Sequence, residues 1–298
     1  MTRHVVVTGA GGFLGRHLVA QLLADGWQVT ALLGPGDRRL PAHGGLHQLR
    51  ADLRCPGSWR IPRGVAVIHA AALKGPAPCA ADPGLADAVN VRATELLLAR
   101  ARRAGCRRFI LLSTYFVFTG RPPFSETAPV SPAEPYGLTK ALAERVVLSA
   151  GLPASVVRLP NVFGSGGGDA VEAMTRAALR DGKMRVSGGT RRYEFVSAGW
   201  CAEVLAQLLA QRAPLPGLLH LGCGNAATLD GLARLIARVT LPLRGQPVRI
   251  VRGPAADDTQ SRTFDSRRLR ALLGRGWRPE SLSAALAAYA RRLQEERP

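Results

Sequence analysis

The chain has 298 residues, of which 47% are hydrophobic and 20% are charged, a balance typical of a globular protein and not of a disordered one. Its formal net charge of +19 allows nucleic acid, an anionic membrane or phosphorylated small molecules as partners. No apolar run approaches 18 residues, which weighs against a membrane span, and the N-terminus is unlike a signal peptide.

The number of arginines and the number and spacing of the cysteines narrow the possible partners and sites. Of the 40 basic residues, 37 are Arg, a ratio that we attribute to the codon bias of a GC-rich genome, so we do not expect nucleic acid as the partner. The five cysteines are widely spaced and lack a CxxC pair. This pattern predicts reduced thiols in a cytoplasmic protein, without a disulfide framework or a metal site.

The first part of the chain alternates short β-branched runs with helical patterns, which predicts βαβ units and a doubly wound parallel sheet of the Rossmann type. The segment Cys55–Gly64 is too short and too rich in Pro and Gly for a full helix, so one crossover is expected to be abbreviated. The expected strands are His4–Thr8, Gln28–Leu33, Leu46–Arg50, Val65–Ala70, Arg108–Ser113 and Ala154–Arg158. The expected helices are Phe13–Asp25, Leu85–Arg103 and Pro135–Ser149, each followed by a glycine.

Beyond Asn161 the pattern loosens and predicts a smaller α/β domain. We therefore expect a cofactor-binding domain in residues 1–160 and mainly a substrate-binding cap in residues 161–298, with the chain crossing between the two. The elements expected in this part are helices at Ala170–Arg180, Trp200–Gln211, Leu229–Val239, Ser266–Leu273 and Leu282–Gln294, and strands at Met184–Val186, Tyr193–Val196, Leu218–Leu221 and Val248–Val251.

The strongest local signal is an apolar strand that runs into glycines 9, 12 and 15 and then directly into a helix. Glycine permits positive φ and lets the backbone approach a pyrophosphate, which binds N–H groups at a helix N-terminus. A glycine-rich turn without a ligand is the alternative. In this strand–turn–helix context we expect a dinucleotide to bind Gly9, Gly12, Phe13, Leu14 and Gly15.

Tyr136 and Lys140 lie four residues apart in a predicted helix, so their side chains share one face. A nearby ammonium favours the phenolate and lowers the pKa of a tyrosine, which is about 10 when unperturbed. The pair therefore predicts a proton donor or acceptor, and a surface pair at this spacing is the alternative.

Ser113 and Thr114 end a predicted strand, where the carboxyl edge of a parallel sheet meets a bound cofactor. A hydroxyl, a tyrosine and a lysine together can polarise a carbonyl group and move one proton during hydride transfer. We expect Ser113 to contact the cofactor and Thr114 to contact the reacting oxygen. The alternative is that both hydroxyls only cap the end of the strand.

The choice between NAD and NADP is made at the end of the second strand, where NAD-dependent enzymes place an acid on the ribose hydroxyls. This chain has no acid at that strand end, and Arg38 and Arg39 follow within reach of a 2′-phosphate. Because a guanidinium binds phosphate through two parallel hydrogen bonds, Arg38 favours NADP over NAD. In the alternative, Asp37 binds the ribose and both arginines lie in a solvated loop.

With these motifs the chain resembles, along nearly its whole length, the extended short-chain dehydrogenase/reductase family, which includes nucleotide-sugar epimerases, reductases and dehydratases. The resemblance implies that Thr114, Tyr136 and Lys140 form the catalytic triad and that Tyr136 and Lys140 also contact the cofactor. The remaining cofactor contacts that it implies are Asp52 and Leu53 at the adenine, Ala70 and Ala71 in the fourth-strand motif, and the backbone of Pro160 and Val162 at the nicotinamide.

The same resemblance assigns substrate contacts. Lys74 ends the fourth-strand motif and Asn161 lies in the run Arg158–Gly164, and both join Thr114 as implied contacts of the substrate. Arg192 takes the place of a displaced family arginine, and Arg252 is a candidate for gripping a diphosphate. Asn90, Val91 and Thr94 match a family helix motif.

The resemblance implies an NAD(P)-dependent oxidoreductase or epimerase that acts on a nucleotide-activated sugar. Reduction of a 4-keto sugar and epimerisation through a keto intermediate both stay open. Dehydration is disfavoured, because Tyr115 and Phe116 stand where the family's dehydratases carry two carboxylates. The alternative from another class is an atypical member that senses a cofactor or binds RNA. Helices such as Leu85–Arg103 and Pro135–Ser149 form a four-helix interface in the family, so we expect a homodimer.

Overall fold

The computed structural model describes residues 3–55, 57, 59–255 and 261–296. Its strands are, in chain order, β1 (His4–Thr8), β2 (Gln28–Leu33), β3 (Leu46–Arg50), β4 (Ala66–His69), β5 (Arg108–Thr114), β6 (Ala154–Leu159), β7 (Asn161–Phe163), β8 (Lys183–Gly188), β9 (Tyr193–Ser197), β10 (Leu218–His220), β11 (Ala226–Ala227) and β12 (Arg249–Ala255). Its α-helices are α1 (Phe13–Ala24), α2 (Pro76–Ala81), α3 (Pro83–Asp87), α4 (Ala93–Arg103), α5 (Pro135–Leu148), α6 (Ala170–Asp181), α7 (Ala198–Ala210), α8 (Leu229–Arg244), α9 (Arg267–Leu273) and α10 (Leu282–Glu295).

Seven strands form one parallel sheet in the order β10-β6-β5-β4-β1-β2-β3. The predicted doubly wound parallel sheet is therefore confirmed. The run Val5–Val7 is fully buried, as expected for a parallel strand that is covered on both faces. The order of the strands reverses between β1 and β4, and the carboxyl ends of strands on either side of such a switch point commonly hold ligands.

The helix predicted at Leu85–Arg103 is divided by a π-helical turn, Ala88–Arg92, between α3 and α4. Single π turns inside helices are frequent at functional sites. The turn contains Asn90, whose side chain is buried. The predicted abbreviated crossover is also observed, because the described residues between Ala51 and Val65 form turns and irregular backbone.

The chain divides into two compact units. The first contains the parallel sheet and comprises Met1–Thr119, Glu126–Leu159 and Ala202–Leu221. The second comprises Gly120–Ser125, Pro160–Cys201 and Gly222–Pro298. The strand predicted at Leu218–Leu221 is β10, an edge strand of the first unit, because it pairs with β6. The assignment of cofactor binding to residues 1–160 and substrate binding to residues 161–298 stays a prediction.

The second unit has its own sheets and its own core. Strands β11, β9 and β7 form one small sheet, and β12 pairs with β8 in parallel. The core of this unit is formed by apolar residues of α6, α8 and α10, among them Met174, Ile236 and Leu286. Within the described residues, none of the helices combines the length and the apolar character that crossing a membrane requires. The same part of the chain contains no group of three or more His, Cys, Asp or Glu side chains arranged to hold a metal ion.

Candidate active site

The three predicted catalytic side chains lie on two neighbouring elements of the first unit. Thr114 is the last residue of β5, and Tyr136 and Lys140 occupy successive turns of α5. A hydrogen bond joins the side chains of Tyr136 and Thr114. All three residues are buried, with at most 9% of any of them exposed. The structure therefore brings the tyrosine and the threonine together, with the lysine one turn further along the same helix.

Burial dominates the titration of the pair. It raises the pKa of Tyr136 to about 12, and the hydrogen bond with Thr114 opposes this rise. The direction is opposite to the one predicted from the Tyr136–Lys140 spacing. Burial also lowers the pKa of Lys140 to about 8, while the Glu144 carboxylate pulls it upward. At neutral pH the phenol is therefore a proton donor next to a lysine that is still mainly protonated.

Gly137 allows α5 to approach the strand end. A Cβ atom at this position would lie 2.2 Å from the carbonyl oxygen of Phe116, far closer than such atoms can come. Phe116 belongs to the 3-10 turn Tyr115–Val117 that follows Thr114, and its ring packs edge-on against Tyr136. The missing side chain at position 137 thus sets the separation between Tyr136 and the end of β5.

A buried ion pair, which the sequence reading missed, lies next to these residues. The Glu144 carboxylate accepts hydrogen bonds from Arg158 Nε at 2.9 Å and Nη2 at 2.6 Å, and from Ser113 Oγ at 2.5 Å. Ser113, predicted to contact the cofactor, therefore directs its hydroxyl to Glu144. Its assignment as a cofactor contact stays a prediction. Glu144 lies four residues after Lys140, and the same helical spacing that singled out Tyr136 and Lys140 could have found it.

Asn90 fixes the loop that carries Lys74. Its side chain accepts a hydrogen bond from Leu73 N at 2.8 Å and donates to Leu73 O at 3.1 Å. The same amide also donates to Thr139 Oγ1 at 3.0 Å, which links this loop to α5. The side chain of Lys74 is exposed, and its ammonium lies 5.4 Å from the ring centroid of Phe13.

His69 ends β4 and is held by two threonines. Its Nδ1 is 2.7 Å from Thr8 Oγ1 and its Nε2 is 2.9 Å from Thr94 Oγ1. Thr94 donates its own proton to Asn90 O, so it must accept from Nε2, and Thr8 must donate to Nδ1. Burial lowers the pKa of His69 to about 3, so the ring is neutral. This arrangement makes His69 a packing residue and a crosslink between strands.

The glycine-rich turn is built for close backbone packing. A Cβ at Gly15 would lie 2.0 Å from Gly9 O, and one at Gly9, where φ is +62°, would lie 2.7 Å from Ala71. The turn leads through Gly12 into α1, whose first residues are Phe13 and Leu14. The N–H groups of this first turn can bind a pyrophosphate, so the residues present fit a dinucleotide. Ala70 and Ala71 lie against the turn, and Ala71 N donates to Thr8 Oγ1 at 3.2 Å.

Asp37, and not Arg38, lies against this turn. A Cβ at Gly11 would come within 2.6 Å of Asp37 Oδ2, and the same oxygen accepts a hydrogen bond from Gly34 N at 2.7 Å. Arg50 holds the loop by donating to the carbonyls of Gly34 and Asp37. Arg38 is exposed. The carboxylate is therefore close to the cofactor turn, whereas the predicted phosphate ligand faces solvent.

The other predicted ligands have partners within the protein. Asp52, expected at the adenine, forms an ion pair with Arg54 at 2.7 Å that holds the pKa of its carboxyl below the usual range, and Leu53 beside it packs on the core.

In the second unit, Pro160 precedes β7, which contains Val162, and Asn161 Nδ2 donates to Glu194 O at 3.1 Å. Arg192 Nη2 donates to Ala226 O at 2.6 Å, and Arg252 Nε is 2.6 Å from Asp230 Oδ1. Their roles as ligands stay predictions.

A comparison with known protein families places this arrangement. Residues 3–286 match the family described as the RmlD substrate binding domain. The chain belongs to this family, within the extended short-chain dehydrogenases/reductases. The match covers nearly the whole chain, so it confirms the family resemblance predicted from the sequence.

Two curated relatives and one solved structure define the enzyme class. The dTDP-4-dehydrorhamnose reductase of Mycobacterium tuberculosis (strain ATCC 25618 / H37Rv) is 30% identical over 304 residues, which cover 97% of this chain and 94% of the reductase. UDP-glucose 4-epimerase 4 of Oryza sativa subsp. japonica is 34% identical over 163 residues, 49% of this chain and only 44% of the epimerase. MoeE5, solved in complex with UDP-glucuronic acid and NAD, superposes with a TM-score of 0.83 at 29% identity, covering 98% of this chain and 99% of MoeE5. This chain is thus an enzyme of the NAD-dependent short-chain dehydrogenase/reductase and epimerase superfamily, and its relatives include sugar reductases and epimerases.

Proposed function

We propose that the chain catalyses hydride transfer at a carbinol or ketone carbon of a nucleotide-activated sugar, with Tyr136, Lys140 and Thr114 as its catalytic residues. The observation that carries the proposal is the buried hydrogen bond between Tyr136 and Thr114 with Lys140 one helical turn away. The sugar reductase and epimerase relatives support the substrate class.

Each residue has a distinct task in this proposal. Tyr136 is protonated at neutral pH, so its hydroxyl donates a proton to a ketone oxygen in the reductive direction and recovers it in the oxidative direction. Thr114 donates a hydrogen bond to the same oxygen and orients it. The Lys140 ammonium stabilises the phenolate that forms on Tyr136. The bound NAD(P) would supply or accept the hydride.

For the cofactor we propose NAD, held at Gly9, Gly12 and Gly15, in preference to the NADP predicted from Arg38. The Asp37 carboxylate next to the turn suits the hydroxyls of an unphosphorylated ribose and would repel a 2′-phosphate. Asp37, and not Arg38, contacts the glycine-rich turn, and the NAD bound to MoeE5 is consistent with this choice.

The test is turnover by the purified protein after its bound nucleotide has been released and identified. We expect NAD(H) to be released and keto- or hydroxy-sugar nucleotides to be converted, with net NADH consumption for a reductase and none for an epimerase. Tyr136→Phe should reduce kcat by about 10²- to 10⁴-fold without loss of NAD binding. Tyr289→Phe is the matched control, because Tyr289 is also buried and its hydroxyl has no hydrogen-bond partner among the described residues. An unaffected Tyr136→Phe enzyme would contradict the proposal, and tight, steeply salt-dependent RNA binding without turnover would favour the RNA-binding alternative.

The homodimer expected from the family belongs to the same proposal. Helix α5 exposes two large apolar side chains, Leu138 at 51% and Leu148 at 48%. Exposed leucines on one helix are consistent with the expected contact between copies. We expect a dimer by light scattering and a shift toward monomer in the double variant Leu138→Glu and Leu148→Glu.

A further inference from the structure

Glu144 is the third member of a stripe on α5, four residues after Lys140 and eight after Tyr136. It is only 3% exposed. Both of its carboxylate oxygens are committed, one to Arg158 Nη2 and the other to Arg158 Nε and Ser113 Oγ. The side chain is therefore fixed in a single orientation, one helical turn after Lys140.

Stability alone does not account for this ion pair. Arg158 is 2% exposed, and taking two charges out of water costs more than their attraction commonly returns. The guanidinium is enclosed further, with Phe118 at 4.6 Å from its carbon and His220 Nε2 at 3.4 Å from Nη1. A packed apolar pair of similar volume would serve the core at least as well.

The groups around Lys140 indicate a second role for the Glu144 carboxylate, which is to provide a negative charge. The groups that interact electrostatically with its ammonium come from three elements: His69 at the end of β4, Cys79 on α2, and Glu144 on α5. His69 is neutral, and burial raises the pKa of the Cys79 thiol, so that it is neutral as well. Tyr136, on the preceding turn, is a neutral phenol. Glu144 therefore supplies the negative charge near the buried ammonium.

We infer that Glu144 is a positioning residue that keeps Lys140 protonated inside the buried site, and that Arg158 and Ser113 hold its carboxylate in place. The inference rests on the proposed function only where it says that the charge of Lys140 stabilises a phenolate on Tyr136. Without this carboxylate, burial would lower the pKa of Lys140 further and weaken the support that its charge gives to a phenolate on Tyr136.

The direction in which the titration midpoint of Lys140 moves distinguishes an electrostatic role of Glu144 from a merely structural one. In Glu144→Gln the anion is lost, so the titration midpoint of Lys140 should fall below its value of about 8, with proton affinity reduced about tenfold or more. If the substitution merely loosened the site, water would enter and the midpoint would rise toward the ordinary value of 10.5. The two explanations thus predict opposite directions.

The chain offers a direct measurement, because it contains only three lysines. Labelling with lysine that carries 13C at the ε carbon gives three NMR signals, and the variants Lys74→Arg and Lys183→Arg assign the signal of Lys140. The full-length protein is titrated with and without Glu144→Gln. Glu172→Gln serves as the control, because Glu172 is also a buried carboxylate in an ion pair and lies in the second unit. The inference predicts a fall with Glu144→Gln and no change with Glu172→Gln; an unchanged or raised midpoint would overturn it.

A second variant covers the case in which Glu144→Gln alone fails to fold. The pair Glu144→Gln and Arg158→Gln removes both members of the ion pair, so neither is left buried without the other. Removing the cation as well makes the change in charge near Lys140 smaller, so the midpoint should still fall in the double variant, but by less than in Glu144→Gln. The NMR titration needs no substrate, so it can succeed even if the proposed function fails. If turnover is observed, the alkaline limb of its pH profile should move to lower pH in the same variants.

Discussion

Replacing Gly137 by alanine tests whether the spacing of α5 from β5 controls catalysis. The new Cβ would lie 2.2 Å from Phe116 O, a backbone atom that cannot rotate away, and contacts under 3.0 Å are not tolerated. The helix and the strand end must therefore separate by roughly 1 Å, and a misplacement of that size can cost about 10²-fold in rate. Phe116 follows Thr114 by two residues, so this separation lengthens the Tyr136–Thr114 hydrogen bond.

The stability of the same variant should change little. Alanine gains about 1 kcal/mol over glycine in a helix, and an overpacked contact costs about 1–3 kcal/mol. We expect kcat/KM on a keto-sugar nucleotide to fall about 10²-fold while the free energy of unfolding in urea falls by only about 2 kcal/mol or less. Gly199→Ala in α7 is the control, since its Cβ would meet nothing closer than 3.8 Å. Full activity of Gly137→Ala would refute the reasoning.

Two further predictions concern charge. Asp37→Asn keeps an oxygen for Gly34 N but removes the carboxylate charge. The dissociation constant of NADP divided by that of NAD should therefore fall by about tenfold, because roughly 1–2 kcal/mol of repulsion is lost. Arg38→Ala should leave this ratio unchanged, and an unchanged ratio in Asp37→Asn would count against the NAD assignment. His69 has a pKa of about 3 in the folded protein against an ordinary value of 6.5, so the unfolded chain binds the proton more tightly. The stability due to His69 should be complete above pH 6.5 and decline toward pH 3, by up to about 1.4 kcal/mol per pH unit. His69→Gln should reduce this slope in urea unfolding measured at pH 7 and pH 5, and an equally steep slope would argue against a buried neutral ring.

Much of the fold could be predicted from the sequence because its signals are local. The bounds of β1 and β2 agree with the predicted strands residue for residue, since β-branched runs between turn residues leave little choice. The bounds of β3 agree as well, although this strand has no β-branched residue. The π turn Ala88–Arg92 could not be predicted, because helical periodicity does not change when one turn widens around Asn90. Strand β10 was predicted as a strand, but only its pairing with β6 shows which sheet it joins.

The candidate site was predictable where a motif fixes a spacing and not where folding supplies a partner. The shared helix of Tyr136 and Lys140 follows from the spacing alone. The direction of the Tyr136 pKa shift does not, because it is set mainly by burial, which the spacing of two residues on a helix does not reveal. The Glu144–Arg158 ion pair joins α5 to β6, and no local sequence pattern predicts a contact between residues of different elements. Asp37 was considered for the ribose, and the structure adds that it contacts the glycine-rich turn.

The hydrogen bonds around His69 run in one direction. From Ala71 N–H to Thr8, from Thr8 to Nδ1, from Nε2 to Thr94, and from Thr94 to Asn90 O, every group gives its proton to the next. A substitution that reverses one donor leaves two acceptors or two protons facing each other at the next link. Thr8, His69 and Thr94 should therefore vary together across homologous sequences, or not at all, and a set of sequences in which one of them changes alone would have to reorganise the whole relay.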